Sequence, residues 1–217
     1  MRKRVFIIFS VAILATVFVS SAAAVTVSVR VEGKTRTLFG ATDPQLQVTS
    51  TALDALVAAA NEGEFYYHLA TSSFGSYVDQ IGLYPALASG GWMFKVNGVL
   101  PPVGADKVTL ENGDHVLWYW ANFDPVTFAG PKTLQLAPSK LTRTDRALEK
   151  RRHAKLYCYA AVAQDDKGVS TPAKGAVLHV GSNRAVKTGE GRACVGPHRG
   201  LLVQATLAGA VRSNRLG

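Results

Sequence analysis

The sequence predicts an α+β protein of two small domains. In the first, one helix packs on a mostly antiparallel sheet, and the second is an all-β, sandwich-like domain. Three observations lead to this class. Apolar and polar residues alternate from residue 25, a helix-periodic segment begins near residue 51, and residues 156–217 hold short strand-like stretches separated by Gly, Pro, Asn and Asp. With 217 residues, 47% hydrophobic and 18% charged, the chain can bury a core.

The first 24 residues predict a secretory signal peptide. Residues 2–4 are basic, residues 5–19 form an almost unbroken apolar run, and Ala22 and Ala24 are the small residues that cleavage requires. The mature chain is expected to start near Val25 and to work outside the cytoplasm, either secreted or in the cell envelope. An uncleaved N-terminal anchor stays the alternative, and no later segment is apolar for long enough to span a membrane.

The first predicted domain covers residues 25–124. Its start alternates as a strand with one buried face, and Thr35–Phe39 returns as the second strand of a hairpin. Thr51 and Asp54 predict a capping box at the start of a helix. The expected apolar stripe of this helix is Leu53, Leu56, Val57 and Ala60.

Strand signals fill the rest of this domain. The segments 64–69 and 77–81 are rich in aromatic and β-branched residues, and the run GGWMFKVNG ends in Asn97-Gly98, a strong signal for a tight hairpin turn. A final strand is expected over His115–Trp120.

These motifs carry a resemblance. The helix TALDALVAAA, the segment FGSYVDQIGL and the elements GGWMFKVNG and ENGDHVLWYW resemble, over about residues 25–122, the transcobalamin-like C-terminal domain family of bacteria, whose function is unknown. The resemblance implies a compact, β-grasp-like domain with a helix on a mostly antiparallel sheet. Because the family is similar to the cap domain of vitamin B12 carriers, it also implies cobalamin or another flat ligand as a candidate. Apart from that, no cofactor is expected.

Aromatic side chains concentrate in two neighbouring predicted strands. Alternate residues of a strand face opposite sides of the sheet, so some of these rings are expected at the surface. Trp92, Tyr119 and Trp120 are the predicted contacts for a flat small ligand, a glycan or an extracellular protein. The alternative is that the rings complete the core.

No pattern of catalytic residues stands out, so the sequence predicts a protein that is not an enzyme. Its five histidines are scattered, without a close pair at metal-ligand spacing, and neighbouring carboxylates such as Asp165 and Asp166 lie in predicted turns. No metal site is expected.

Charge divides the mature chain. Residues 25–131 carry five Lys/Arg against ten Asp/Glu, a net −5, whereas residues 132–217 carry sixteen against five, a net +11. The basic half could contact an anionic cell-envelope polymer, or its cations could simply be a solvated surface. They are not interleaved with aromatics as on a nucleic-acid-binding face, so no nucleic-acid partner is expected.

The second half is predicted as a linker or basic loop over 125–155, then a β-sandwich over 156–217. The motifs of this sandwich resemble, more weakly, carboxypeptidase regulatory-like or bacterial immunoglobulin-like modules, which implies a spacer or stalk. Cys158 and Cys194 are the only cysteines, and in an oxidising compartment they are expected to form a disulfide.

The sequence therefore predicts a secreted or cell-surface binding or display module. Its first domain would contact a ligand or protein, and its second would be a structural stalk. A purely structural component of the cell envelope and a corrinoid carrier are the alternatives.

Overall fold

A computed structural model describes residues 24–72, 75–124, 126–127, 129–182 and 184–217. The predicted signal peptide, apart from Ala24, lies outside the described residues. The described chain is mostly β, with helices at two places and several antiparallel sheets. Among these residues no helix has both the length and the apolar character that crossing a membrane requires.

Two hydrophobic cores divide the described chain into an N-terminal unit, residues 24–124, and a C-terminal unit, residues 129–217. The N-terminal unit has one α-helix, α1 (Ala52–Glu62), and a 3-10 turn, Ala105–Lys107. Its strands are β1 (Val25–Glu32), β2 (Thr37–Phe39), β3 (Gln45–Val48), β4 (Tyr67–Ser72), β5 (Gly75–Ile81), β6 (Tyr84–Pro85), β7 (Gly90–Val96) and β8 (His115–Asn122).

The main sheet of the N-terminal unit has the order β2-β1-β8-β7, with β3 also paired to β1. Its central strands β1 and β8 run parallel, and its other pairs are antiparallel. The predicted β1–β2 hairpin is confirmed. Strands β4, β5 and β6 form a separate antiparallel sheet that adds Val78 and Ile81 to the core.

Helix α1 covers one face of the main sheet. The predicted capping box is present, because Thr51 Oγ1 accepts from the Asp54 amide and the Asp54 carboxylate accepts from the Thr51 amide. Leu56 and Ala60 of the predicted stripe are buried, whereas Leu53 and Val57 are half-buried at its edges. The small residues Ala52, Ala55 and Ala59 complete the buried face, where small side chains allow a close approach to the sheet.

The predicted Asn-Gly turn joins β7 to the following segment. Asn97 and Gly98 both have positive φ, 51° and 83°, and Val96 and Val99 exchange backbone hydrogen bonds of 2.9 and 3.0 Å across the turn. Asn tolerates this conformation and Gly adopts it without steric cost, which explains the sequence at this position.

The C-terminal unit contains two antiparallel sheets that share one hydrophobic core, and we refer to this pair of sheets as the sandwich. Its strands are β9 (Thr133–Ser139), β10 (Tyr157–Gln164), β11 (Ser170–Pro172), β12 (Val177–Val180), β13 (Arg184–Lys187), β14 (Arg192–Val195), β15 (Val203–Thr206) and β16 (Arg215–Leu216). One sheet joins β11, β10, β14 and β9, and the other has the order β13-β12-β15-β16. Side chains from both sheets, such as Leu134, Tyr159, Leu178 and Val203, form a shared core.

The prediction of a linker over 125–155 is wrong for most of that range. Residues 133–139 form β9, which pairs along β10 and buries Leu134 and Leu136 in the sandwich core. Residues 143–152 form a second helix, α2 (Arg143–Arg152), where a linker or basic loop was predicted. Thr142 and Asp145 form a capping box at the start of α2, of the same kind as the box that starts α1. The high density of cations suggested a loop, but this capping box favours a helix.

The predicted disulfide is confirmed. Cys158 on β10 lies directly opposite Cys194 on β14, and their sulfurs are bonded. The bridge therefore links the neighbouring strands β10 and β14. The Cys194 sulfur also lies 3.4 Å from the Asp145 carboxylate of α2.

Removing this bridge is expected to destabilise the protein. The double variant Cys158→Ser/Cys194→Ser should lose roughly 3 to 4 kcal/mol of unfolding free energy, because the bridge closes a loop of 36 residues in the unfolded chain. Urea unfolding of the oxidised wild type and the variant measures the difference. Reduced wild type is the matched control and should resemble the variant; a loss below about 1 kcal/mol in both would contradict the expectation.

Candidate functional site

Both faces of the main N-terminal sheet are buried. On β1, Val27, Val29 and Val31 face α1, and the alternate residues Ser28, Arg30 and Glu32 face the other way, yet they are also at most 4% exposed. The C-terminal unit covers this polar face. Backbone bonds join the units as well, from Leu100 to Asp166 and from Arg215 to Ala41.

A buried carboxylate lies at the centre of this interface. Glu32 accepts hydrogen bonds from the Arg212 guanidinium at 3.0 and 3.1 Å and from the Thr37 hydroxyl at 3.0 Å, and Arg30 Nε lies 3.9 Å away. Burial raises the pKa of Glu32, and the charges of Arg30 and Arg212 oppose this effect. Glu32 belongs to the N-terminal unit and Arg212 to the C-terminal unit, so this contact is an ion pair between the two.

A second ion pair joins the units with the opposite polarity. Lys95 on β7 is fully buried, and its Nζ lies 3.1 Å from Asp166 Oδ1 and donates to the Asp165 carbonyl at 2.9 Å. Asp166 Oδ2 accepts from the Gly130 amide. Burial lowers the pKa of Lys95, while Asp166 acts to raise it. Asp165 instead accepts from the amides of its own turn, as predicted for a turn residue.

Tyr119 lies against Lys95, with the Lys95 Nζ 5.9 Å from the ring centroid. Tyr119 is fully buried and packs with Met93 and Val211 in a small apolar cluster. Burial is the main reason that the pKa of Tyr119 is raised. The expectation that Tyr119 is an exposed ligand contact is therefore corrected, because the C-terminal unit covers its face of β8.

The other two predicted contacts lie on the opposite face of the sheet, directly across from each other on β7 and β8. Their indole N–H groups donate to β6: Trp92 to the Tyr84 carbonyl at 2.8 Å, and Trp120 to the Pro85 carbonyl at 3.0 Å. Both rings are thus fixed. Trp120 is 7% exposed and Trp92 is half-buried, and each lines a different cavity.

Trp120 borders a cleft of about 320 Å³ between the two units. Its polar side chains are Lys34, Asn122 and Arg212, and the remaining lining residues are Gly33, Ala121, Pro131, Gly209, Ala210 and Val211. Lys34 lies in the β1–β2 turn with its Nζ 4.6 Å from the centroid of the Trp120 ring. Among the described residues no carboxylate forms an ion pair with Lys34, so this exposed cation faces the cleft unpaired.

Trp92 lines a smaller cavity of about 100 Å³, mainly apolar, with Tyr77, Phe94 and Trp118. Ligand sites for small molecules usually have about 300 to 1,000 Å³. Of the two cavities that hold a predicted contact, the cleft at Trp120 is therefore the better candidate for ligand binding by size and polar lining.

A serine–histidine contact lies behind the sheet and does not form a catalytic pair. Ser28 Oγ is 2.5 Å from His115 Nδ1, but Ser28 is 2% exposed and the adjoining cavity holds only about 30 Å³. That volume suffices for about one water molecule, so no acyl substrate could reach the hydroxyl.

Asp145, Cys158 and Cys194 form the single cluster of metal-ligand type in the described part of the chain, with ligand atoms within 4.8 Å of one another. The disulfide consumes both sulfurs, and zinc needs thiolates, so this cluster is not a metal centre.

Residues 49–122 match the family model described as Domain of unknown function (DUF4430). This family is the transcobalamin-like C-terminal family, so the resemblance drawn from the sequence is confirmed over α1 and β4 to β8. The matched region contains Trp92, Tyr119 and Trp120, while Lys34 and Arg212 lie outside it. A search of curated proteins finds no match to the chain.

Sequence reasoning missed the two cations of the cleft. The sequence around Lys34 indicates only a turn residue, and Arg212 lies 178 residues further along the chain. No local pattern brings them together.

The Lys95–Asp166 pair is expected to cost stability when only its carboxylate is neutralised. Asp166→Asn leaves a buried ammonium without its counter-ion and should lower the unfolding free energy by about 3 kcal/mol, the low end for such pairs because the Asp166 side chain is 22% exposed. Lys95→Met should cost less, since the Asp166 side chain is partly exposed and its Oδ2 keeps the hydrogen bond from the Gly130 amide. The double variant should be more stable than Asp166→Asn alone. Urea unfolding measures all four proteins, and additive losses would refute the coupling.

Proposed function

We propose that this chain works outside the cytoplasm as a non-catalytic binding module, and that its ligand site is the cleft between the two units. The observation that carries the proposal is the combination of the Trp120 ring with two cations, Lys34 and Arg212, in one cleft. An aromatic ring contacts flat or apolar groups, and an unpaired cation favours an anionic one. The ligand class is therefore a small molecule with a flat or apolar body and an acidic group.

The two cations have different roles in this proposal. Arg212 is held in place by Glu32 and by the Gly33 carbonyl, so its guanidinium is pre-positioned but largely neutralised. Lys34 is exposed and has no counter-ion among the described side chains, so it is the group that would pair with an incoming acid. Lys34 covers the Trp120 ring and would move aside as the ligand enters.

The proposal also changes the role expected of the C-terminal unit. A stalk would leave the ligand site to the N-terminal unit alone, but residues 209–212 of the sandwich line the cleft. The motifs of this unit resemble spacer modules of the immunoglobulin-like or carboxypeptidase regulatory-like kind. We infer that the unit nevertheless supplies one wall of the site and supports the other wall.

A non-catalytic role is supported by the chemistry of the lining. Its polar side chains, Lys34, Asn122 and Arg212, include no nucleophile paired with a base. The nearest buried carboxylate, Glu32, is engaged by Arg212 and Thr37 and faces the interface.

Corrinoid carriage is the second candidate function, because residues 49–122 match the transcobalamin-like family. A titration with cyanocobalamin distinguishes it from the first. Quenching of tryptophan fluorescence at micromolar concentrations would support a carrier, and its absence would remove that candidate.

Binding in the cleft is tested with 8-anilinonaphthalene-1-sulfonate, a probe with flat rings and one anionic group. Lys34→Glu should weaken binding about tenfold or more, because it replaces the unpaired cation with an anion. Trp120→Phe keeps an apolar ring but removes the indole and should weaken binding about three- to tenfold. Fluorescence titration at constant salt measures both.

Two variants serve as controls. Lys187→Glu makes the same charge change on exposed β13, and Trp92→Phe alters the opposite aromatic in the smaller cavity. Both should bind the probe as the wild type does. Equal weakening in Lys187→Glu and Lys34→Glu would show that net charge, and not the cleft, governs binding, and would contradict the proposal.

Export is expected to remove residues 1–24. Mass spectrometry of the protein secreted by a bacterial host should show a chain that begins at Val25, the first residue of β1. Replacing Ala22 and Ala24 with Leu should block cleavage, because the peptidase requires small residues there. A full-length chain retained in the membrane of the wild-type strain would instead support the N-terminal anchor.

A further inference from the structure

The exposed face of α2 carries cations that the fold leaves without partners. Arg143, Arg146 and Lys150 are spaced at i, i+3 and i+7, so they lie on one side of the helix, and all three are exposed. We call these three residues the α2 stripe. Within the described chain no carboxylate forms an ion pair with any of them.

The carboxylates that could neutralise the stripe are engaged elsewhere. Asp145 pairs with Arg192 at 2.6 Å and accepts from the Thr142 amide, and Glu149 accepts from the Leu156 amide at 2.6 Å. Both are only partly exposed and lie on the side of α2 that faces the sandwich. Hydrogen bonding to Arg192 lowers the pKa of Asp145 to about 2, so this carboxylate stays ionised and occupied. The fold therefore leaves neither carboxylate free to neutralise the stripe.

Helix stability does not explain the stripe. Cations favour the C-terminal end of a helix, which accounts for Arg151 and Arg152, but Arg143 and Arg146 lie in its first turns, where the helix dipole disfavours them. Like charges at i, i+3 and i+4 also repel each other. A chain that needed only a soluble helix would gain by mixing signs on this face.

The helix is rigidly attached. Arg192 donates to Ser139 at 3.0 Å, to the Lys140 carbonyl at 2.8 Å and to Asp145, so it joins β14 to both ends of the segment that leads into α2. The disulfide lies directly beneath, at Cys194. The stripe is therefore presented in a fixed geometry by the sandwich.

We propose that α2 is a docking surface for a linear polyanion that carries one phosphate-type group per repeat. Neighbouring Cβ atoms of the stripe are about 5 to 6 Å apart and the three residues span about 10 Å along the helix axis, which suits charges placed regularly along a chain. Two further exposed cations, Lys140 and Lys155, flank the helix in the sequence, and the Lys155 Nζ lies 5.2 Å from the Tyr157 ring centroid. This site is separate from the cleft at Trp120 and does not depend on it.

A polymer fits this face better than a lipid bilayer does. Helices that bind membranes insert a broad apolar face, with large residues opposite the charged ones. The exposed side of α2 offers only Thr144 and Ala147 beside its cations, and Leu148 is turned partly inward. Contact with the partner would therefore be electrostatic, and salt should weaken it strongly.

The test uses the mature full-length protein and fluorescein-labelled inorganic polyphosphate, with binding followed by anisotropy between about 50 and 200 mM salt. Wild type should bind with an affinity that falls roughly 100-fold over this range if about five cations engage. The triple variant Arg143→Gln/Arg146→Gln/Lys150→Gln should reduce the slope of log affinity against log salt by about two and weaken binding about 100-fold at the lowest salt.

The matched control Arg184→Gln/Lys187→Gln/Arg199→Gln removes two arginines and one lysine from exposed positions elsewhere on the same unit. Circular dichroism melting verifies that both triple variants fold. Retention of most of the affinity by the control, together with loss by the stripe variant, supports the proposal. Equal losses in both variants, or an unchanged salt slope in the stripe variant, would overturn it.

Vesicles containing phosphatidylglycerol provide the second arm. Tighter binding to these vesicles than to polyphosphate would overturn the proposal in favour of a membrane surface. Neither triple variant alters Lys34, Trp120 or Arg212, so both should bind the anilinonaphthalene probe in the cleft as the wild type does. This measurement distinguishes failure of the docking proposal from failure of the proposed ligand site.

Discussion

The arrangement of the two units depends on the central sheet of the N-terminal unit being buried on both faces. Apolar contacts supply the driving force: α1 packs on one face, and Tyr119, Met93 and Val211 pack on the other. The ion pairs Glu32–Arg212 and Lys95–Asp166 add little net free energy, since burying charge is costly. They penalise every misaligned docking instead, because a shift would leave a buried charge unpaired.

The candidate site follows from that fixed docking. Trp120 is positioned by the N-terminal unit alone, through its bond to the Pro85 carbonyl, whereas Arg212 is held at the cleft from across the interface by Glu32 and the Gly33 carbonyl. The geometry of the site therefore depends on how firmly the interface holds the two units together. A change that loosened the interface would separate the ring from one of its cations, even if both units stayed folded.

Local patterns predicted local structure well and failed where distant segments meet. Alternation identified β1, the Asn97-Gly98 pair identified the turn, and Thr51 with Asp54 identified α1. The same reasoning predicted one buried face for β1 and a ligand contact at Tyr119. It cannot reveal that another unit covers the second face of the sheet, where Arg30, Glu32 and Tyr119 are buried. Helix α2 is a different kind of failure, since its Thr142–Asp145 box was present in the sequence but its cations outweighed that signal.

The uneven charge of the chain gains meaning from the way the units join. Each of the two ion pairs between the described parts takes one cation and one anion, and the N-terminal unit supplies one of each sign. The two ion pairs therefore leave the difference in net charge unchanged: residues 25–131 carry −5 and residues 132–217 carry +11. If attraction between the halves were the purpose of the asymmetry, the basic unit would contribute cations to both pairs. The surplus therefore stays on the surface of the C-terminal unit, where five of the sixteen Lys/Arg of residues 132–217 lie in α2.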